Sequence, residues 1–385
     1  MHAPTSLKSL LISGTYFPPQ VGGISRMMAE VCQHLGPDRI AAVSGQDGGD
    51  LTLRQGLRTY CSPAAFNTAS RLHLPALAAL LGRAIARERP DLLQFATADD
   101  AWIGWYTARL TRLPHLIYAH GNEILALARS RWAKPLGAFQ NAVAIIANSR
   151  YTAGLVEERL GVSPERIHIV HPGCDVDRFR PVPVPDGLRE RLAGCRNAYP
   201  LLLSVGNLVE RKGQDLVLRA LPELRRTFPA IRYAIVGGGR DRAKLESLCR
   251  EIGVEDLVNF VGRGDDADLP AFYAASDLFV MPSRARLDHD DVEGFGMVFL
   301  EASACAKPVI GGRSGGIADA ISEGETGLLV DPEDPAELAA AVRSLAESPD
   351  TMARFGHAGL ERTRRDFTWA RFCGRIDAAL EGLGT

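Results

Sequence analysis

Short apolar runs without polar alternation recur along the whole chain, separated by longer stretches of helical periodicity. In the first half they read SLLIS, RIAAVS, DLLQFA, HLIYAH, AVAIIANS and RIHIVH. In the second they read LLLSVG, YAIVGG, LVNFVG, DLFVMP, PVIGG and GLLV. Unbroken apolar runs of this length suit strands covered on both faces, as in parallel sheets. Parallel strands need long crossovers, and segments such as 24–35, 72–86, 214–228 and 242–252 have the length and period for crossover helices. The pattern therefore predicts an α/β chain of two Rossmann-like, doubly wound parallel-sheet domains.

The stretch PVPVPDG, between Arg180 and Asn197, cannot form a ladder and reads as a stiff linker. It divides the chain into an N-terminal domain over 1–180 and a C-terminal domain over 181–365. The last helical segment, 366–385, is expected to pack back across the junction. Two such domains are expected to face a central cleft, with ligands beyond the carboxyl ends of the strands.

Composition narrows the function classes. A net charge of -2 gives no bulk attraction to nucleic acid. Seven scattered cysteines, an odd number with no Cys-x-x-Cys pair, point to reduced thiols and a cytoplasmic protein. No His/Cys/Asp cluster suggests a metal. The apolar run at Leu10–Ile12 is broken by Gly14 and Pro18, and no eighteen apolar residues run together. The expectation is a soluble protein, at most peripheral to a membrane.

The most informative segment is DVEGFGMVFLEASACAKPVIGG. Glu293 precedes Gly294, Phe295 and Gly296, and Glu301 follows eight positions after Glu293. With a helix starting near Phe295, that separation spans about 12 Å, too far for the ~5 Å carboxylate pair of a retaining glycosidase. It is long enough to set one carboxylate near a hexose and the other near a ribose. Backbone N–H groups at the helix start would receive the diphosphate between them. Glu301 could simply solvate a helix, but its neighbours are apolar, and a carboxylate buried among them needs a partner.

Other loops after strands carry fitting groups. In SVGNLVERKGQD, Arg211 and Lys212 are placed to meet a leaving diphosphate. In FPPQVGGISRMMAEV, Gly22 and Gly23 sit before a helix and allow close approach by a ligand, although most Gly-Gly pairs are simply turns. His120 ends the strand HLIYA, with Glu123 a weaker candidate beside it. The segment IVGGGRDRAKL lacks a dinucleotide fingerprint, because Arg242 stands where the third glycine belongs. Gly237, Gly238 and Gly239, with Arg240, are expected to shape the base or phosphate side of a donor site, and Arg263 to lie near the base.

The Glu-x7-Glu spacing, the small-residue helix after it and the following PVI together resemble glycosyltransferase family 4, over essentially the full chain. The resemblance implies the GT-B fold and retaining, metal-independent hexosyl transfer from a nucleoside-diphosphate sugar to a lipid-linked or glycan hydroxyl, without a cofactor. It implies that Glu293 contacts the transferred sugar and Glu301 the ribose, while Gly294 to Val298, through Met297, offer backbone N–H groups. His120 would abut the reacting sugar, and the Gly22–Gly23 loop would close over the donor. Asn148, Ser149, Gly173 and Asp175 match architectural landmarks, and Arg26 is structural or shapes the acceptor site. The insertion MPSRARLDHDDVEG is most similar to the phosphatidylinositol mannosyltransferase branch, which favours GDP-mannose and leaves UDP-sugars open. The family usually has arginine where this chain has Asn207, which leaves a diphosphate one cation short unless Arg211 substitutes. Arg129, Arg131, Trp132 and Lys134 could meet an anionic membrane surface or form a solvated helix start. A nucleotide-sugar epimerase and an inactive nucleotide-sugar-binding scaffold remain as alternatives on the same fold.

Overall fold

The computed structural model describes residues 7–20, 22–67, 73–129 and 133–382. The chain forms two compact units, one drawn from Met1–Pro172 with Trp369–Thr385 and the other from Gly173–Thr368.

The first unit is built on β1 (Ser9–Ser13), β2 (Ile40–Ser44), β3 (Thr59–Cys61), β4 (Leu92–Phe95), β5 (His115–Ala119), β6 (Ala144–Ala147) and β7 (Ile167–Ile169). They form one sheet in the order β3-β2-β1-β4-β5-β6-β7, with every pairing parallel. The strands from β2 inward to β6 are buried along their whole length, which explains their unbroken apolar sequence. β3 was not anticipated. It is three residues long, only partly buried and at the sheet edge, so it carries no apolar run. The helix Trp369–Glu381 completes this unit, placing Phe372, Cys373 and Ile376 in the same core cluster as Leu11, Met28, Val31 and Tyr118.

The second unit contains β8 (Leu201–Val205), β9 (Arg232–Val236), β10 (Val258–Gly262), β11 (Leu278–Met281), β12 (Val309–Gly312) and β13 (Gly327–Val330). Their order is β10-β9-β8-β11-β12-β13, again all parallel. Side chains alternate between the two faces of a strand. Leu201 and Leu203 accordingly join one cluster, with Phe299 and Leu300, while Leu202 joins the other, with Leu216 and Leu221.

The change of unit falls at Pro172–Gly173 rather than at 180/181. The proline run lies inside the second unit because apolar residues on both sides of it, Phe179, Leu188 and Leu192, belong to that unit's core. The prolines cross its surface, where no ladder is required.

In each sheet the strand order reverses once, between β1 and β4 and between β8 and β11. Loops leaving such a pair diverge to opposite faces and open a crevice at the carboxyl edge. In the second unit glycines bring neighbouring loops into backbone contact. A Cβ on Gly237, whose φ is 144°, would lie 1.9 Å from the Gly206 carbonyl oxygen, and one on Gly239 would lie 2.3 Å from that of Leu208.

Gly237→Ala should therefore destabilise the second unit by about 3 kcal/mol, from overpacking and backbone strain together. Gly253→Ala, at φ 69° with nothing within 4 Å, should cost about 1 kcal/mol. Urea unfolding of both variants provides the comparison. Equal losses would rule out the loop contact as the cause.

Candidate functional site

At the second unit's reversal point, β8 runs through Gly206 into the short 3-10 turn Glu210–Lys212, and Gly213 starts the helix Gln214–Thr227. Gly213, at φ 72°, has the Pro282 carbonyl oxygen 2.2 Å from where a Cβ would lie, so the β8 loop presses against the end of β11. This contact brings Arg211 and Lys212 onto the segment that follows β11. Glu293 Oε2 accepts from Arg211 Nη1 at 2.5 Å and from Lys212 Nζ at 2.6 Å. Asp291 Oδ1 accepts from Arg211 Nε at 2.6 Å.

These side chains are only 12–25% exposed, so their charges are felt strongly. Burial alone would push the Glu293 carboxyl up, but Lys212 and Arg211 outweigh it and hold Glu293 below the ordinary glutamate range. Burial would lower the Arg211 pKa, and Glu293 and Asp291 raise it instead. Glu293 is thus an ionised carboxylate at neutral pH, able only to accept hydrogen bonds.

The helix that follows is Met297–Ala304, starting two residues later than expected. Gly296 caps it at φ 90°, where a Cβ would strike the Phe299 ring at 2.7 Å. The Met297 and Val298 N–H groups precede the first i→i−4 bond and are oriented as at any helix start. The Phe295 side chain is buried, and its ring centroid lies 6.0 Å from that of Phe367. Gly315 and Gly316 come close behind, and Gly316 N–H donates to the Glu293 carbonyl at 2.9 Å. Glu301 has the partner its apolar neighbours demand. Tyr273 Oη donates to Glu301 Oε2 at 2.9 Å, and burial followed by the Glu301 charge pushes the phenol pKa far up, keeping it a donor.

Among the glycines after β9, Gly237 and Gly239 pack against the backbone of Gly206 and Leu208. Gly238 differs, since a Cβ there would meet Arg263 Nε at 3.2 Å. Gly238 thus lies beside the Arg263 side chain. Asn207 is exposed, and its carbonyl accepts from Gln214 Nε2 at 3.2 Å.

In the first unit, His120 emerges at the carboxyl end of β5 and is 9% exposed. Its Nε2 lies 2.8 Å from the Ala96 carbonyl. A carbonyl can only accept, so the neutral ring carries its proton on Nε2 and keeps Nδ1 as acceptor. Glu123 Oε1 accepts the His120 backbone N–H at 2.5 Å, a helix-capping role, and Asn148 Nδ2 donates to the His120 carbonyl at 3.2 Å. Ser149 caps the helix Arg150–Leu160. Asp175 Oδ1 accepts from the Arg178 N–H at 3.1 Å. Gly22 and Gly23 are exposed at the start of the helix Gly23–Leu35, and Arg26 pairs with Glu30 one turn on. Arg131 and Trp132 lie outside the described residues, as do the side chains of Arg129 and Lys134. At the reversal between β1 and β4, buried Asp100 accepts from Gly14 N–H at 2.9 Å and from Thr97 Oγ1 at 3.0 Å.

Sequence reasoning missed Asp291 and Tyr273. Asp291 lay unremarked in an insertion two residues before Glu293. Tyr273 sits in a different helix, Leu269–Ala275, with nothing in its spacing to link it to Glu301.

Two family models match: glycosyl transferases group 1 over residues 194–362 and Glycosyltransferase Family 4 over residues 21–178. The chain is 33% identical over 386 residues to a GDP-mannose-dependent alpha-(1-6)-phosphatidylinositol monomannoside mannosyltransferase of Mycolicibacterium smegmatis, spanning 97% of this chain and 98% of that one. The protein of the same name from Mycobacterium tuberculosis H37Rv is 32% identical, spanning 98% and 99%. The crystal structure of Anabaena HepE in complex with UDP superposes with a TM-score of 0.80 at 22% identity, over 98% of this chain and all of the other, and so shares its fold.

Burial pushes the Asp100 carboxyl up to about 7 despite the Gly14 and Thr97 hydrogen bonds. The native state then holds a proton that the unfolded chain has lost between about pH 4 and 7. Its contribution is full below the ordinary aspartate pKa and is lost as pH rises through about 7. Stability of the first unit should fall across that window by an amount on the order of 4 kcal/mol. Asp100→Asn should flatten the profile in urea titrations from pH 4 to 8. An unchanged slope in the variant would mean another group titrates.

Proposed function

This chain belongs to glycosyltransferase family 4, and we propose that it moves mannose from GDP-mannose to a hydroxyl of a phosphatidylinositol-type lipid acceptor, with retention at the anomeric carbon and without a metal ion. Its two parallel-sheet units are those of the GT-B fold, and it is a glycosyltransferase. The donor and acceptor are inferred from the activity named for the mycobacterial relatives, which match across nearly the whole chain.

The observation that carries the reading is the convergence of Arg211 and Lys212 on Glu293, at the reversal point and just before the helix Met297–Ala304. Two cations and a helix start form a receptor for a diphosphate. The ionised Glu293 accepts hydrogen bonds from sugar hydroxyls, and Glu301, oriented by Tyr273, accepts from the ribose. As the bond between the anomeric carbon and the diphosphate oxygen breaks, Lys212 and Arg211 take up the growing negative charge. The acceptor oxygen forms its bond from the same face, and its proton passes to the departing phosphate oxygen. His120 Nδ1 is free of the Ala96 contact and is suited to accept from a sugar hydroxyl.

Contact with a membrane follows from the lipid acceptor. Among the described residues, no helix is long and apolar enough to cross one, so the contact proposed is peripheral, at the cytoplasmic face.

Nucleotide release from GDP- and UDP-sugars, with and without phosphatidylinositol-containing vesicles and with EDTA present, tests the whole reading. Acceptor-stimulated GDP release from GDP-mannose is expected, with a labelled mannolipid product. Glu293→Gln should lower that rate by about 100-fold or more, as for loss of a group acting in the transition state. Release confined to UDP-sugars would overturn the donor assignment. Sugar isomerisation without release would indicate an epimerase, and nucleotide binding without turnover a scaffold.

A further inference from the structure

The insertion between β11 and Glu293 folds into a small hairpin. Arg286 and Asp291 exchange both backbone hydrogen bonds, at 2.7 and 3.1 Å, around the turn Leu287–His289. Its base is tied to the β8 loop in several places. Arg284, 6% exposed, pairs with both oxygens of Asp215 at 3.1 and 3.0 Å, and its N–H donates to the Arg211 carbonyl at 2.8 Å. Arg286 forms an ion pair with Glu210. The hairpin is thereby held against the segment carrying Arg211 and Lys212, and Asp291 leaves it facing the Arg211 guanidinium.

A guanidinium beside a single carboxylate settles into a two-pronged pair with it. Arg211 does not do this with Glu293. Asp291 occupies Nε, so only Nη1 reaches Glu293, and Lys212 shares the same oxygen. Among the described residues Nη2 has no hydrogen-bond partner. Resting on the transferase reading above, we propose that Asp291 is a positioning residue for the leaving diphosphate. It holds Arg211 by Nε, keeps the guanidinium from closing onto Glu293, and presents the Nη edge to the phosphates. Arg211 so held supplies the cation that this chain lacks at Asn207. Asp291 acts only through Arg211 and does not itself touch the donor.

That dependence can be measured as a double-mutant cycle on the full chain. GDP affinity by calorimetry and GDP-mannose kinetics are compared for the wild type, Asp291→Asn, Arg211→Gln and the double variant. The expected result is a roughly tenfold weaker GDP affinity in Asp291→Asn, about the worth of one charge-assisted hydrogen bond. A rise in KM should accompany it. The double variant should bind no more weakly than Arg211→Gln alone, and Asp291→Glu should recover most of the loss. If Asp291 merely holds the hairpin together, its replacement will weaken binding equally with or without Arg211, and that additivity overturns the proposal. Unchanged GDP affinity in Asp291→Asn overturns it as well. A wild type that binds GDP yet transfers no sugar would end the transferase reading, and the binding cycle would still decide the role of Asp291.

Discussion

Strands that all run in one direction cannot be joined by tight turns, so each connection must cross the sheet and return. Both units of this chain obey that constraint, and their chemistry follows from it. Every loop leaving a strand gathers at the carboxyl edge, and one reversal of strand order parts two neighbouring loops there. Between β8 and β11 this draws Arg211 and Lys212 to Glu293, across some eighty positions of sequence. The glycines at 213, 237 and 239 let the loops close to backbone contact, so the charged side chains have little room to arrange themselves differently.

Electrical balance is the second theme. Arg211 and Lys212 face Asp291 and Glu293, two charges against two, in surroundings where an unpaired charge would be costly. A diphosphate entering such a site competes with Glu293 for Arg211 and Lys212. The cations are kept oriented by groups already in place, so little reorganisation is left for the moment of reaction.

The architecture was legible in sequence wherever a strand is covered on both faces, since burial leaves an unbroken apolar run. It was illegible at Thr59–Cys61, where an edge strand of three residues needs no such run. Glu293, Glu301, Arg211 and Lys212 could be picked out because loop chemistry follows strands in a fixed order, and the glycines beside Glu293 mark a helix start. Asp291 could not, because its partnership with Arg211 depends on how a hairpin is folded. The backbone contacts of Gly237 and Gly239 were hidden for a related reason. A glycine needed for another loop's backbone leaves no pattern that distinguishes it from one needed for a ligand. The prolines at 181–185 suggested a boundary, yet the apolar residues beside them, Phe179 and Leu188, carry that segment into the second core.

The first unit is interrupted in sequence, and the helix Trp369–Glu381 comes to it only after the second unit has passed. During synthesis, the sheet from β1 to β7 emerges long before Phe372, Cys373, Ile376, Ala379 and Leu380 exist to fill its core cluster. The second unit, continuous from Gly173 to Thr368, is complete first. Order of translation and order of completion are therefore reversed. A chain stopped short of its last helix would leave an open core in the unit made first.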